Sequence, residues 1–241
     1  MENDILLLLT GTINTQNKMF TALTDKDQRK REYISTIQFY LKNFDFPVVF
    51  VENSGEDISA FFTQSIQENR LEILTFQGND YPPELGKGTG EMRCMEHGVK
   101  NSRLLRADHF VFKITGRYIV RNLNKYVQYY RDNPHIHILA DLTNNFRLSA
   151  SGFFGFRPFF VSEYLLKKAP LLNDTEHRYF EHMLARAVLD ALSNDVSFSL
   201  LKYYPKISAI SGTTAKKYKD GWLHYFPRNM KYLLRYYILK R

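Results

Sequence analysis

The stretch Lys113-Ile114-Thr115-Gly116-Arg117-Tyr118 closes the apolar run HFVFKI with two cations, a hydroxyl and a glycine. At the exit of a buried strand, Lys113 and Arg117 would be preorganised positive charge suited to neutralising a departing diphosphate. Solvated ion pairs at a strand end are the plain alternative. Further along, Asp174, Glu176 and Glu181 open the segment DTEHRYFEHMLARAVLDAL. A carboxylate there could take the proton of an attacking hydroxyl. Glu181, set among Tyr179, Phe180 and Met183, is the one that partial desolvation would tune for a base. If this segment is one helix, Glu176 and Glu181 stand about 140° apart in azimuth, so a single cleft takes at most one of them. An acidic residue in a first helical turn also complements the helix dipole, which is role enough for Glu176.

The elements that must position these groups can be read from period and punctuation. DILLLLT reads as a strand, and DKDQRKREYISTIQFYLKNF as a helix with Tyr33, Ile34, Ile37 and Leu41 on its apolar stripe. FPVVFVENSG is a strand and turn, EDISAFFTQSIQEN a helix, and RLEILTF a third strand. QGNDYPPELGKGTGE reads as a loop, EMRCMEHGVKNSRLL as a helix and DHFVFKI as a fourth strand. The alternation predicts an α/β fold with an open, Rossmann-like, mostly parallel sheet flanked by helices. Ligands of such sheets collect outside the carboxyl ends of the strands. That gathers Thr10, Gly11 and Thr12 with Glu52 and Asn53, with Gly88, Gly90 and Glu91, and with Lys113, Thr115, Gly116 and Arg117.

Each of these groups also has a purely structural reading. GKGTGE has neither the dinucleotide fingerprint nor the Walker A spacing, so it is a phosphate-facing turn or simply the approach to a helix. In VENSG, Asn53 or Ser54 could cap a helix starting near Glu56, or Glu52 and Asn53 could hydrogen-bond a base or ribose. The phenylalanines of FFGFRPFF suit a core. His135, His137, His177 and His182 form no i, i+4 pair with an acidic partner, so no metal site is expected from them.

A net charge of +8 and a pI near 9.4 imply an anionic partner: a phosphorylated ligand, a membrane surface or nucleic acid. No nucleic-acid motif accompanies the charge. Cys94 is the only cysteine, which excludes an internal disulfide and suits a reducing cytoplasm. The apolar run Ile5 to Leu9 follows Glu2 and Asp4 and is too short to span a bilayer, so it reads as a buried strand and any membrane contact would be peripheral. The basic, aromatic end, PRNMKYLLRYYILKR, suits a helix lying on an anionic membrane, or an ordinary amphipathic helix packed on the domain.

Taken in order, LTGTIN, VENSG, GKGTGE with HGVKNS, KITGRY, FFGFRPFFVSEYL and EHRYFEHML resemble a bacterial surface-polysaccharide glycosyltransferase of the GT-A type, of the kind that builds capsule or O-antigen. The resemblance covers most of the chain and implies one domain over residues 1–241. Residues 1–118 would bind the nucleotide, 119–226 would hold the acceptor and catalytic groups, and 227–241 would be the basic helix. It implies a nucleotide-sugar donor, UDP-linked by first preference, and a glycan or lipid-linked acceptor at the inner face of the cell membrane. It further implies a base among Glu181, Glu176 and Asp174, and a late loop with Lys216, Lys217 and Tyr218 closing on the donor. In that family the DxD metal motif stands where this chain has KITGRY, so Lys113 and Arg117 would replace the metal and no cofactor is expected. A nucleotidyltransferase on a similar sheet and a non-catalytic nucleic-acid-binding protein are the alternative readings.

Overall fold

A computed structural model describes residues 4–15, 23–209 and 221–239. The chain runs β1 (Ile5–Gly11), α1 (Lys26–Asn43), β2 (Val48–Glu52), α2 (Thr63–Gln67), β3 (Leu71–Thr75), α3 (Gly86–Asn101), β4 (Phe110–Thr115), β5 (Ile119–Val120), α4 (Leu123–Asp132), β6 (Ile138–Ala140), β7 (Phe153–Phe156), α5 (Phe180–Leu192), β8 (Phe198–Leu200), β9 (Ile207–Ser208) and α6 (Trp222–Leu239). Seven strands form one sheet in the order β3-β2-β1-β4-β7-β6-β8, and β5 pairs with β9 in a separate ribbon. All neighbours in the large sheet are parallel except those of β7, which runs against both β4 and β6. The fold is α/β with a Rossmann-like, mostly parallel central sheet, as the alternating sequence pattern implies. β1, β2 and β4 are almost wholly buried, which is why they read as near-continuous apolar runs.

The chain leaves β1 to build β2 and β3 on one side, then returns to place β4 on the other. This reversal makes the carboxyl ends of β1 and β4 the switch point where a crevice opens.

Four local expectations are corrected. Residues 56–69 are not one helix: Asp57 captures the backbone N–H and hydroxyl of Ser59 at 2.8 and 2.5 Å, and a 3-10 turn at Ser59–Phe61 precedes the short α2. A short side chain competing for backbone donors does this in place of helix. On α1 the buried face is Arg29, Tyr33, Thr36, Ile37 and Tyr40, rotated from the expected stripe and carrying a charge. The segment 174–179 lies outside α5: Asn173 caps a 3-10 turn at Asp174–Glu176, and His177 adopts a left-handed conformation at φ 56°. The azimuth relation expected between Glu176 and Glu181 therefore does not apply.

The fourth correction concerns GKGTG, expected as a loop but forming the first turns of α3. A Cβ on Gly90 would stand 2.7 Å from the Tyr81 hydroxyl and 2.9 Å from Asn53 Nδ2, and one on Gly88 would stand 3.1 Å from the Phe180 backbone nitrogen. Tight contact with three neighbouring segments overrides the poor helix propensity of glycine. Gly90→Ala should accordingly lower stability by about 1–3 kcal/mol through overpacking, against the modest gain that alanine brings to an unencumbered helix. Urea unfolding of the variant measures it.

Candidate active site

A cavity of about 470 Å³ opens at the switch point. Of the residues singled out from sequence, Thr10, Gly11, Thr12, Gly88, Gly90, Glu91, Thr115, Arg117, Asp174 and Glu181 line it. Five others do not. Lys216, Lys217 and Tyr218 lie outside the described residues.

The five have visible tasks nearby. Glu52 is fully buried and accepts from the backbone N–H groups of Ile13, Ser54 and Glu56 at 2.8–2.9 Å and from the Ser54 hydroxyl at 2.5 Å, which ties the β1 and β2 exits together. Burial pushes its carboxyl above the usual range despite these bonds. Asn53 accepts from Thr12 Oγ1 at 2.6 Å and donates to Gly90 O at 3.3 Å, so it positions two residues that do face the cavity. Gly116 donates its N–H to Thr10 O at 2.8 Å. Glu176 is exposed, paired with Arg178 and bonded to Asn173.

Lys113 is the fifth. Its side chain is fully buried and ion-paired with Glu91 of α3. Its ammonium also donates to Ser151 O at 2.7 Å. Glu91 in turn accepts from Thr10 Oγ1 at 2.8 Å, and Ser151 Oγ donates to Glu181 Oε1 at 2.5 Å. One chain of contacts thus runs from the β1 exit through α3 and β4 to the carboxylate on α5. Arg117 does line the cavity, with Nη1 2.6 Å from Glu32 Oε2.

The donor set does not fit a divalent metal on a DxD pair. The β4 exit, KITGRY, carries no carboxylate, and its Lys113 ammonium is seated on the Glu91 carboxylate of α3. Among the described residues no three His, Cys, Asp or Glu side chains come together to hold a metal ion.

Two cavity cations were not singled out from sequence. Arg29 is buried, and its hydrogen bonds go to neutral groups: Thr12 O at 2.9 and 2.5 Å, Leu23 O at 3.1 Å and the Tyr33 hydroxyl at 3.3 Å. No carboxylate among the described residues forms an ion pair with it. Lys87, at the cavity rim, has its ammonium held below the usual lysine range by desolvation, with the Arg29 charge adding to it and Asp174 and Glu181 opposing. The i, i+4 spacing of Arg29 and Tyr33 was the available signal, but in DQRKREY nothing local separates Arg29 from its cationic neighbours. Lys87 stands inside the glycine run that was read for its backbone alone.

Asp174 and Glu181 line the same cavity, Asp174 directly beside Lys87. Asp174 Oδ2 accepts the Lys87 backbone N–H at 3.1 Å, while the buried Oδ1 has no hydrogen-bond partner among the described residues. Desolvation pushes the Asp174 carboxyl up, and the Glu181 charge adds to the rise. The cavity can therefore neutralise an anionic ligand with Arg29, Lys87 and Arg117 and accept hydrogen bonds or a proton with Asp174 and Glu181.

No family model matches the chain, and no curated protein matches its sequence. Among solved structures it is similar to one described as a nucleotide-diphospho-sugar transferase from Desulfovibrio desulfuricans, at 8% identity over 83% of this chain and 80% of that one, with a TM-score of 0.44. It is similar also to a cytidylyltransferase from Leptospira borgpetersenii, at 13% identity over 85% and 76% of the two chains, TM-score 0.41. A third is S. aureus TarS in complex with UDP, at 13% identity over 95% of this chain and 64% of that one, TM-score 0.45. These likenesses are distant, and the chemistry of the cavity stands on its own residues.

Two outcomes follow from the buried contacts. Lys113→Met should cost about 3–5 kcal/mol by leaving Glu91 unpaired in a largely desolvated place. Adding Glu91→Gln should recover much of that loss, a coupling that chemical denaturation of the single and double variants measures. Asp174→Asn should raise the melting temperature near neutral pH. Its carboxyl is raised in the folded state, so the unfolded chain loses the proton first, and the stability that Asp174 contributes falls as pH rises from about 4 through the folded value. The advantage of the asparagine should vanish below about pH 4, as a melting series across pH would show.

Proposed function

We propose that the chain is a glycosyltransferase that takes a nucleotide-sugar donor into the switch-point cavity and moves the sugar to a hydroxyl of a glycan or lipid-linked acceptor. The observation that carries this reading is a buried guanidinium, Arg29, whose hydrogen bonds among the described residues go only to neutral groups, in the same cavity as a carboxylate held by a serine. A buried cation without a countercharge is costly, and a diphosphate supplies the missing charge. Lys87 and Arg117 add positive charge to the cavity lining. They take the role that sequence alone gave to Lys113, which serves instead to brace the site. UDP-linked sugars are the first donors to test. Assembly of a surface polysaccharide such as capsule, O-antigen or lipopolysaccharide is the setting that the sequence resemblance favours.

In the inverting course, a Glu181 oxygen accepts the proton of the acceptor hydroxyl as that oxygen bonds to the anomeric carbon. The bond from that carbon to the diphosphate oxygen breaks, and its electron pair leaves with the diphosphate. Ser151 Oγ fixes Oε1 of Glu181 for this task. Charge that develops on the leaving group meets preorganised cations, the most effective place for electrostatic stabilisation. Asp174, with its unpartnered Oδ1, supports the sugar hydroxyls or serves as base in place of Glu181.

A thermal-shift screen against UDP, GDP, CMP and dTDP sugars should find at least one donor that raises the melting temperature, since a ligand selective for the native state stabilises it. Absence of any shift across the four would remove the reading. With the donor in hand, transfer should survive EDTA. Glu181→Gln should retain the donor-induced shift and lose about 10²–10⁴-fold in turnover, while Glu176→Gln stays near wild type. Equal activity in Glu181→Gln and wild type would assign the base elsewhere, with Asp174→Asn the next variant to assay.

A further inference from the structure

Helix α6 meets the domain along one face only. Asn229 Oδ1 accepts from the Tyr204 N–H at 3.1 Å, Tyr232 donates to Asp141 Oδ2 at 2.5 Å, and the Tyr236 hydroxyl bonds that of Tyr129 at 2.9 Å. Arg235 pairs with Asp141 and donates to Leu142 O at 3.2 Å. Together with Tyr225, bonded to Asn122, these positions fall on one side of the helix. The other side shows Trp222, Leu223, Phe226, Met230, Leu234 and Ile238 to solvent, with Trp222 70%, Leu223 77% and Ile238 67% exposed. At 100° per residue they occupy an arc of about 160°.

On the domain-facing side, Tyr236 and Leu239 line a separate apolar groove of about 330 Å³ with Leu142, Phe146, Leu189, Leu192 and Leu200. Exposed apolar side chains in a contiguous patch mark a surface that meets something. The charge pattern says what. α6 contains Arg228, Lys231 and Arg235 and no Asp or Glu, and Lys231 is exposed at the edge of the apolar arc. A second copy's α6 would bring further cations and no carboxylate to answer them. Anionic headgroups above an apolar layer match both features, since a helix of this type seats its apolar side in the acyl boundary and its cations at the phosphates.

We propose that the outer face of α6 forms a docking surface for an anionic lipid bilayer. No described helix is long and apolar enough to cross a membrane, so the contact lies in the plane of the surface. The inference goes beyond the transfer reaction and stands without it. Because Tyr232, Arg235 and Tyr236 anchor α6 to the domain, exposed-side substitutions test it more cleanly than removal of the helix.

Trp222 is the only tryptophan of the chain and stands on this face, so its fluorescence reports the contact directly. The full chain is mixed at physiological salt with vesicles of phosphatidylcholine alone or with added phosphatidylglycerol. The expected result is co-sedimentation with the anionic vesicles and a blue shift of the emission, at least tenfold weaker with neutral vesicles. Leu223→Glu with Ile238→Glu should lose the binding while leaving the circular dichroism spectrum, the melting temperature and the donor-induced thermal shift unchanged. Lys231→Glu should weaken binding to anionic vesicles only. Failure of the full chain to bind anionic vesicles overturns the proposal, as does wild-type binding by the double variant or binding without a change in Trp222 emission. A dimer in sedimentation equilibrium that the double variant dissolves, with no vesicle binding, would assign the face to a second copy.

Discussion

The lysine ammonium at position 113 is enclosed by protein on all sides, and an isolated charge in that place would cost several kcal/mol. Its position is tolerable because Glu91 and the Ser151 carbonyl meet it, and those two groups come from different parts of the chain. Lys113 therefore sets a condition on the fold around it. α3 must lie close enough over β1 and β4 for Glu91 to reach the ammonium, and the loop before β7 must present its carbonyl inward. Once both hold, Thr10 and Glu181 are fixed as well, through Glu91 and the Ser151 hydroxyl. The catalytic carboxylate of the proposed reaction is thus held in register with the strand exits by a cation that does not itself line the cavity.

The glycines of α3 belong to the same requirement. The helix start is wedged against Tyr81, Asn53, Leu172 and Phe180, and side chains at Gly88 and Gly90 would push it outward. Outward movement would draw Glu91 from Lys113 and change the cavity wall that Gly88, Gly90 and Glu91 share. Close approach and charge pairing are in this sense one constraint, satisfied by two small residues and the long acidic one that follows them.

Much of the fold could be read from sequence because β1, β2 and β4 bury both faces and so appear as apolar runs between polar exits. The gathering of Thr10, Thr12, Thr115 and Arg117 follows from that reading alone. What could not be read depends on contacts distant in sequence. GKGTG has the composition of a loop, and only the surfaces packed on it make it helical. Arg29 is one cation among several on α1, and burial alone distinguishes it. The DTE turn looks like the opening of α5, yet Asn173 pairs across to Arg178 and closes a separate loop. Lys113 was recognised as unusual for its place, but a linear pattern cannot say whether a strand-end cation faces a cavity or a carboxylate behind it.

The reversed direction of β7 carries a consequence for how the molecule assembles. In a parallel strand the exit reaches the cavity, but β7 runs against β4, so its entrance arrives there and delivers Ser151, two residues before the strand. β7 also stands between β4 and β6 in the sheet, so it belongs to the same continuous surface as the strands of the first half. The amino-terminal strands alone would form a sheet with the crevice open on one side and Lys113 without its carbonyl partner. Contacts of this sequence separation form only after an intervening loop closes, which tends to slow folding. The arrival of β7 is then the step that joins the early strands to the α5 carboxylate, and nascent chain lacking that strand would hold an incomplete pocket.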